Sequence, residues 1–322
     1  MNASRYLQLS SSALLAFVAN SCVPFAASTR VPAELWVIGA HRTSFQFDFA
    51  VDNTIVLDST TFRPALASQS TQATGALAHY ALVTSFQGAR YHPDVVRAIG
   101  ESQDALASAA QAIASLAGST HSNGLVLDFQ EMAGEDLIAM TNLARAIADS
   151  ARGPAVNPIA MILPASDSAA YPGATLARIA DALIIRLFPE HGPRTPPGPI
   201  VSPPWFARGL GARAGQVGVT RIVAEIPVDG ILWGADGSTQ SVSYAESMRL
   251  AERSSTTFLR DPASGNLHAS SSRDGWEIWV ADHVLIDRLI ADARRIGVTR
   301  FAFAGIDGAD PQLWQSLLQL KR

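Results

Sequence analysis

At 322 residues, with 48% hydrophobic and 16% charged side chains, the chain is long enough for one large core or two modest ones and too apolar to be disordered. A net charge of −4 gives no global basic field, and the basic residues, all arginine except Lys321, are scattered singly, which argues against nucleic acid as a partner. The single cysteine, Cys22, excludes an internal disulfide, no Cys/His spacing indicates a metal, and no segment indicates a cofactor.

Residues 1–22 carry Arg5, then an apolar run from Leu9 to Val18, then the small residues Ala19-Asn20-Ser21. That layout is a secretory signal, too short to span a bilayer, and it predicts export to the periplasm or outer surface. Cys22 follows directly, where a bacterial lipoprotein carries its acylated residue, so membrane attachment through a Cys22 lipid is a further expectation. Ala19 stands where such a lipid-attachment signal ordinarily has leucine.

Beyond it, short apolar runs alternate with longer amphipathic ones. The strands expected are Leu35–Gly39, Thr54–Asp58, His79–Thr84, Gly124–Asp128, Ile159–Leu163, Ala182–Leu187, Arg221–Ile226 and Arg300–Ala304. Helices are expected over Ser102–Leu116, Glu135–Ala151, Trp205–Ala214, Tyr244–Ser254 and Val284–Arg295, where apolar residues recur at three- and four-residue steps. Continuous apolar strands are those of a parallel sheet covered by helices. Eight of them predict an α/β fold, a (β/α)8 TIM barrel, as one domain over residues 31–322. Residues 229–282, between the seventh and eighth strands, break the rhythm with turn signals, one helix and two short strand-like runs. They read as a small α+β insertion on the rim. Gly192–Pro204 is a stiff Pro/Gly-rich loop at the strand ends where barrels keep their sites.

The segment Asn123–Glu131 ends a buried strand in polar residues. Strand alternation puts Asp128 and Gln130 on one side, toward the barrel mouth, and Glu131 elsewhere. Alternatively, Asp128 and Glu131 simply begin the next helix, where carboxylates favour the dipole. His41 and Arg42, after the first strand, are mouth candidates by position.

This segment resembles the D-x-x-D-x-D-x-E signature of glycoside hydrolase family 18, the chitinase-like barrels. The resemblance continues in order from about Ala81 to the C-terminus. Phe188-Pro189-Glu190-His191 is similar to MAYDEH of the bacterial branch attached to polysaccharide deacetylases, and Pro227–Trp233 to PxYGYDW. Ser243-Tyr244-Ala245 and Trp279–Asp282 match the insertion, and Ile306–Trp314 resembles the closing LGSEDPxLW. The resemblance implies a glycan containing N-acetylglucosamine as partner, with hydrolysis assisted by the sugar's own acetamide.

The departures lie around one pocket. The aspartate that orients the acetamide is kept as Asp128, but the acid's position is Gln130, and an amide has no proton to donate. The tyrosine that holds the acetamide is Phe188, its neighbouring aspartate is Pro189, the seventh-strand tyrosine is Asp229, and the tryptophan that floors the sugar pocket is Ala304. The resemblance therefore implies a chitinase-like glycan-binding protein, a pseudoenzyme with hydrolysis lost or weakened. Two alternatives stand beside it. One is an active glycosidase using Glu131 or a Glu190/Asp229 pair, although a one-residue shift sends the Glu131 side chain to the opposite face. The other is an accessory lipoprotein with a protein partner. Glu190 and His191 equally suit a role in holding the Pro-rich loop. Among the tryptophans, Trp233 and Trp276 near rim turns are the expected ligand contacts, while Trp205, Trp279 and Trp314 read as core.

Overall fold

The computed structural model describes residues 31–39, 43, 45–68, 76–152, 158–166 and 168–322. Cys22, His41 and Arg42 lie outside the described residues. Eight parallel strands form the barrel: β1 (Glu34–Ile38), β2 (Phe49–Leu57), β3 (Ala78–Thr84), β4 (Gly124–Asp128), β5 (Ile159–Pro164), β6 (Ala182–Arg186), β7 (Ile222–Ile226) and β8 (Arg300–Ala304). Each pairs with its neighbour in chain order. Closure comes from β1, which pairs with β2 on one side and β8 on the other, Trp36 opposite Phe49 and Ala302.

The runs are continuously apolar because both faces of each strand are covered. In β4, Leu125 and Leu127 join the large core under the helices, while Val126 faces the barrel interior. The same split separates Phe301 and Phe303 from Ala302 in β8. The interior is thus layered: Trp36, Phe49 and Tyr80 near the N-terminal ends, then aliphatic residues such as Val126, Ile184 and Val223. Continuing the alternation, Thr84, Asp128, Arg186 and Glu225 face inward at the C-terminal ends.

Helices α1 (Pro93–Glu101), α2 (Gln103–Ser119), α3 (Leu137–Ala151), α4 (Pro203–Val217), α5 (Tyr244–Arg253), α6 (His283–Ile296) and α7 (Leu313–Leu320) accompany the strands. Ser102 caps α2 through its hydroxyl, and Asp282 caps α6 by accepting the Leu285 N–H. Arg213 of α4 is fully buried and donates to the carbonyls of Pro164, Ser166 and Tyr171, so it fixes the loop after β5.

The insertion holds more sheet than its sequence announces. Strands 229–234, 239–243, 259–260, 267–271 and 276–280 make a five-stranded antiparallel sheet with α5 against one face. Trp276, Ile278 and Val280 form the centre of its own small core.

Candidate functional site

The C-terminal end of the barrel carries a linked polar layer. Asp128, at the last position of β4, is 4% exposed, and its two oxygens have separate donors. Oδ1 accepts from Gln130 Nε2 at 2.9 Å, and Oδ2 accepts from the Tyr91 hydroxyl at 2.8 Å. Thr84 of β3 donates to the Asp128 carbonyl at 3.1 Å. Arg186, ending β6, lies with Nη1 3.6 Å from Asp128 Oδ2 and donates from Nε to Glu225 Oε2 at 3.0 Å. The same guanidinium reaches the Tyr91 oxygen at 3.2 Å.

Charge makes the layer interdependent. Glu225 of β7 is completely buried, and its other oxygen, Oε1, has no hydrogen-bond partner among the described residues. Burial raises its pKa above the usual carboxylate range, the Arg186 charge opposes the rise, and Asp128 and Asp229 add to it. Burial alone would lower the Arg186 pKa, but Glu225 and Asp128 push it well up, so this guanidinium stays charged. Burial and the Asp128 charge also raise the Tyr91 phenol, which therefore remains a proton donor toward Asp128.

Gln130 shares this face with Asp128, and its amide orientation is dictated by its neighbours. Nε2 meets two groups that only accept, Asp128 Oδ1 and the Ile162 carbonyl, each at 2.9 Å. Both amide protons are thereby engaged, leaving Oε1 as the group with capacity for a ligand. An acceptor now stands where the resembled family has its acid.

The remaining sequence candidates take other positions. Glu131 has a left-handed backbone, φ 61°, and its half-exposed carboxylate lies 3.7 Å from Arg194 of the Pro-rich loop. Glu190 accepts the Ser202 N–H at 2.6 Å, and His191 Nδ1 lies 3.2 Å from the Pro196 carbonyl, so both brace that loop. Phe188 is half-buried just beyond β6. Asp229, at the start of the insertion, accepts from Ser241 at 2.7 Å; burial raises its pKa, and that hydroxyl moderates the rise.

Trp233 and Trp276, expected as rim contacts, are buried at 6% and 8% exposure. Both lie on strands of the insertion rather than in its turns, and Trp276 donates to Ser254 at 3.3 Å. Trp279, expected in the core, is half-buried, with His268 packed on its ring at 4.4 Å and Glu277 accepting its N–H at 2.8 Å. Among the described residues, Phe62 and Phe86 are the exposed aromatic side chains near the strand ends, 42% and 47% exposed. Gln87 ties their two loops together by bonding both Asp58 and Ser59.

Among the described residues, Asp282, His283 and Asp310 form the one group of His and acidic side chains close enough to share an ion. Their atoms already serve the fold. Asp282 pairs with Arg260 and caps α6, while Asp310 accepts from His283 and from the Gln312 N–H.

No family model and no curated protein matches the sequence. Solved structures do match the fold. A chitinase from Chromobacterium violaceum superposes with a TM-score of 0.75 at 15% identity, covering 89% of this chain and 98% of that one. The spore cortex-lytic enzyme SleL of Bacillus cereus gives 0.75 at 14% identity, with 90% and 74% covered. A glutamate-to-glutamine mutant of the class V chitinase from Nicotiana tobaccum, in complex with NAG4, gives 0.71 at 14% identity, with 90% and 98% covered. The architecture is that of the chitinase-like barrels.

Proposed function

We propose that this protein binds a glycan containing N-acetylglucosamine at the C-terminal mouth of the barrel, without hydrolysing it at an enzymatic rate. The orientation of Gln130 carries the proposal. Both its amide protons are engaged by Asp128 and Ile162, so the group beside Asp128 accepts hydrogen bonds and has no proton for a leaving oxygen. Loss of a positioned general acid typically costs ~10²–10⁴ in rate. Asp128 is itself bound on both oxygens, and the resembled family's tyrosine hydroxyl is missing at Phe188. The ligand class is supported by fold neighbours that are chitinases, one of them in complex with NAG4. Phe62 and Phe86 supply exposed rings of the kind that pack on the apolar faces of sugars.

The test pairs two measurements on the purified chain, calorimetric binding of chitooligosaccharides and their turnover alongside peptidoglycan. Binding weakened by Phe86→Ala, with no turnover above background, is the expected result. Turnover that disappears in Asp128→Asn overturns the proposal.

One observation favours a second reading, an active glycosidase with a relocated acid. Partial burial raises the Asp229 pKa, so its carboxyl holds its proton to higher pH than an ordinary aspartate, as a general acid requires. That reading predicts turnover abolished by Asp229→Asn and little changed by Gln130→Glu.

Export belongs to the same proposal and rests on residues 1–22, and lipid attachment rests on Cys22. Cell fractionation of the full chain and of Cys22→Ser tests both: the membrane-bound fraction should move to the soluble exported fraction in the variant.

A further inference from the structure

The flank of the barrel between α7 and the connection from β1 to β2 carries an open cavity. In α7, Leu313, Leu317 and Leu320 are buried against the outer core. Trp314, Leu318 and Lys321 form the neighbouring stripe, at i, i+4 and i+7, and none of the three is buried. In the connection, Phe47 is fully buried, and Phe45 packs its ring edge-on against it with centroids 4.8 Å apart. Between these two walls lies a cavity of about 570 Å³, lined by Thr43, Phe45, Gln46, Trp314, Leu318 and Lys321.

Its aromatic lining is accessible. Phe45 and Trp314 are each half-buried, with centroids 5.9 Å apart and planes inclined at 37°, and Leu318 beside them is 53% exposed.

The charge of the lining is already matched. Lys321 donates to Asp48 Oδ1 at 2.6 Å, while Asp48 Oδ2 accepts the Leu35 N–H at 2.7 Å. That bridge ties α7 to the connection. An anionic ligand would lose water for a cation that has its carboxylate, and the lining holds no acid to attract a cationic one.

The neutral polar groups are unengaged. The Gln46 amide and the Trp314 indole N–H make no hydrogen bond to the described residues. The Thr43 hydroxyl accepts the Phe45 N–H at 3.0 Å and keeps its own proton for another partner. A wholly apolar ligand would take water from these groups and return nothing, and a ligand polar on every side would waste the rings. A saccharide has both characters, an apolar pyranose face for the rings and hydroxyls for the rim. Among saccharides an acetamide complements Gln46 best, because each amide offers the other a donor and an acceptor.

We infer that this cavity is a second binding site for an uncharged N-acetylated saccharide. The pyranose face lies on Trp314 and Phe45, and the acetamide meets Gln46. The volume falls within the ~300–1,000 Å³ of sites for small molecules. The ligand class rests on the same reading as the mouth, but the residues are different ones, so either site can fail without the other.

The experiment titrates the isotope-labelled full chain with N,N′-diacetylchitobiose and follows the indole N–H signals by NMR. The Trp314 signal is identified as the one that Trp314→Phe removes. It should shift saturably, and equally so in Phe86→Ala, which damages the mouth. Cellobiose, which lacks the acetamides, should bind about fivefold more weakly at this signal, the effect of one neutral hydrogen bond. Gln46→Leu should close that gap and melt with the parent, since the amide it removes is exposed and unbonded. A Trp314 signal that stays still, that moves in the parent but not in Phe86→Ala, or that responds as strongly to cellobiose overturns the inference. Tighter binding of toluene than of either sugar overturns it too. Calorimetry separates the two sites. Binding heat reduced by Phe86→Ala but untouched by Gln46→Leu leaves the mouth alone and overturns this inference. Heat reduced by Gln46→Leu but untouched by Phe86→Ala leaves this cavity and overturns the reading of the mouth.

Discussion

Arg186 and Glu225 sit in the barrel interior two residues beyond Ile184 and Val223, on two strands whose other inward side chains are aliphatic. Each therefore depends on the other. Replacing one member of a buried ion pair typically costs ~3–5 kcal/mol, because the remaining charge is left unpaired, whereas replacing both is far milder. Urea denaturation should show that loss for Arg186→Met and for Glu225→Gln, with much of it recovered in the double variant. Single losses below ~1 kcal/mol would show that the pair does not hold the layer together. At Gln130 the expectation concerns function: Gln130→Glu should give no turnover, because Phe188 and Ala304 lack the groups by which the resembled family holds and floors the sugar. These two replacements were legible in the sequence, since a resembling motif gives each position an expected residue. The partners of Asp128 were not legible. Tyr91, Arg186 and Glu225 come from three distant segments, and the two charged ones interrupt runs whose other members are all apolar. In hindsight the interruption was the signal: an arginine in Ala182–Leu187 and a glutamate in Ile222–Ile226 need a reason to be buried. Trp233 and Trp276 failed as rim contacts for the converse reason. Their neighbouring turns were visible, but the strand pairing that draws the indoles inward was not.

At the scale of elements, the eight barrel strands could be read because burial on both faces leaves a run with few polar residues. The insertion strands could not. Thr239–Ser243 (TQSVS) and Leu267–Ser271 (LHASS) are short and half polar, and only pairing with 229–234 and 276–280 makes them strands. Helix α1 abuts α2 with only Ser102 between them, so no loop signal in the sequence sets it apart. Two expectations belong here. Arg213 serves three carbonyls at once, so Arg213→Met should cost ~3 kcal/mol or more, read from urea denaturation, by leaving buried acceptors unpaired. Ser243 forms a capping box with Glu246 at the start of α5. Ser243→Ala should cost ~1 kcal/mol, seen as faster amide exchange confined to the insertion. Uniform acceleration across the barrel would mean that the insertion does not open as a separate unit.

For the whole molecule, ionisation couples the parts in opposite directions. Arg97 bonds Asp136 and holds its pKa below the ordinary 3.8. A lowered carboxyl stabilises the fold at pH above the unfolded value, and that contribution is lost as pH falls through the folded one. Asp310 acts in the same sense: burial opposes the shift, but the Gln312 N–H and His283 overcome it. Glu225 and Asp229 are raised, so their contribution is greatest below 4.5 and 3.8 and declines as pH climbs to their folded values. Stability followed by urea midpoint against pH should therefore fall on the acid side. Asp136→Asn should flatten that limb, and an unchanged limb in the variant would place the acid transition elsewhere. Glu225→Gln should remove part of the decline above pH 4.5, whatever it does to overall stability.

The closure of the barrel through β1 has a further consequence, for orientation. The Ala33 N–H donates to the Leu320 carbonyl at 2.9 Å, so the chain enters the barrel beside the end of its last helix. Entry and exit thus share the face at the N-terminal strand ends, and Asp128 and Gln130 look out from the opposite pole. Substitutions that loosen the Ala33–Leu320 junction therefore act at the pole away from the Asp128 layer.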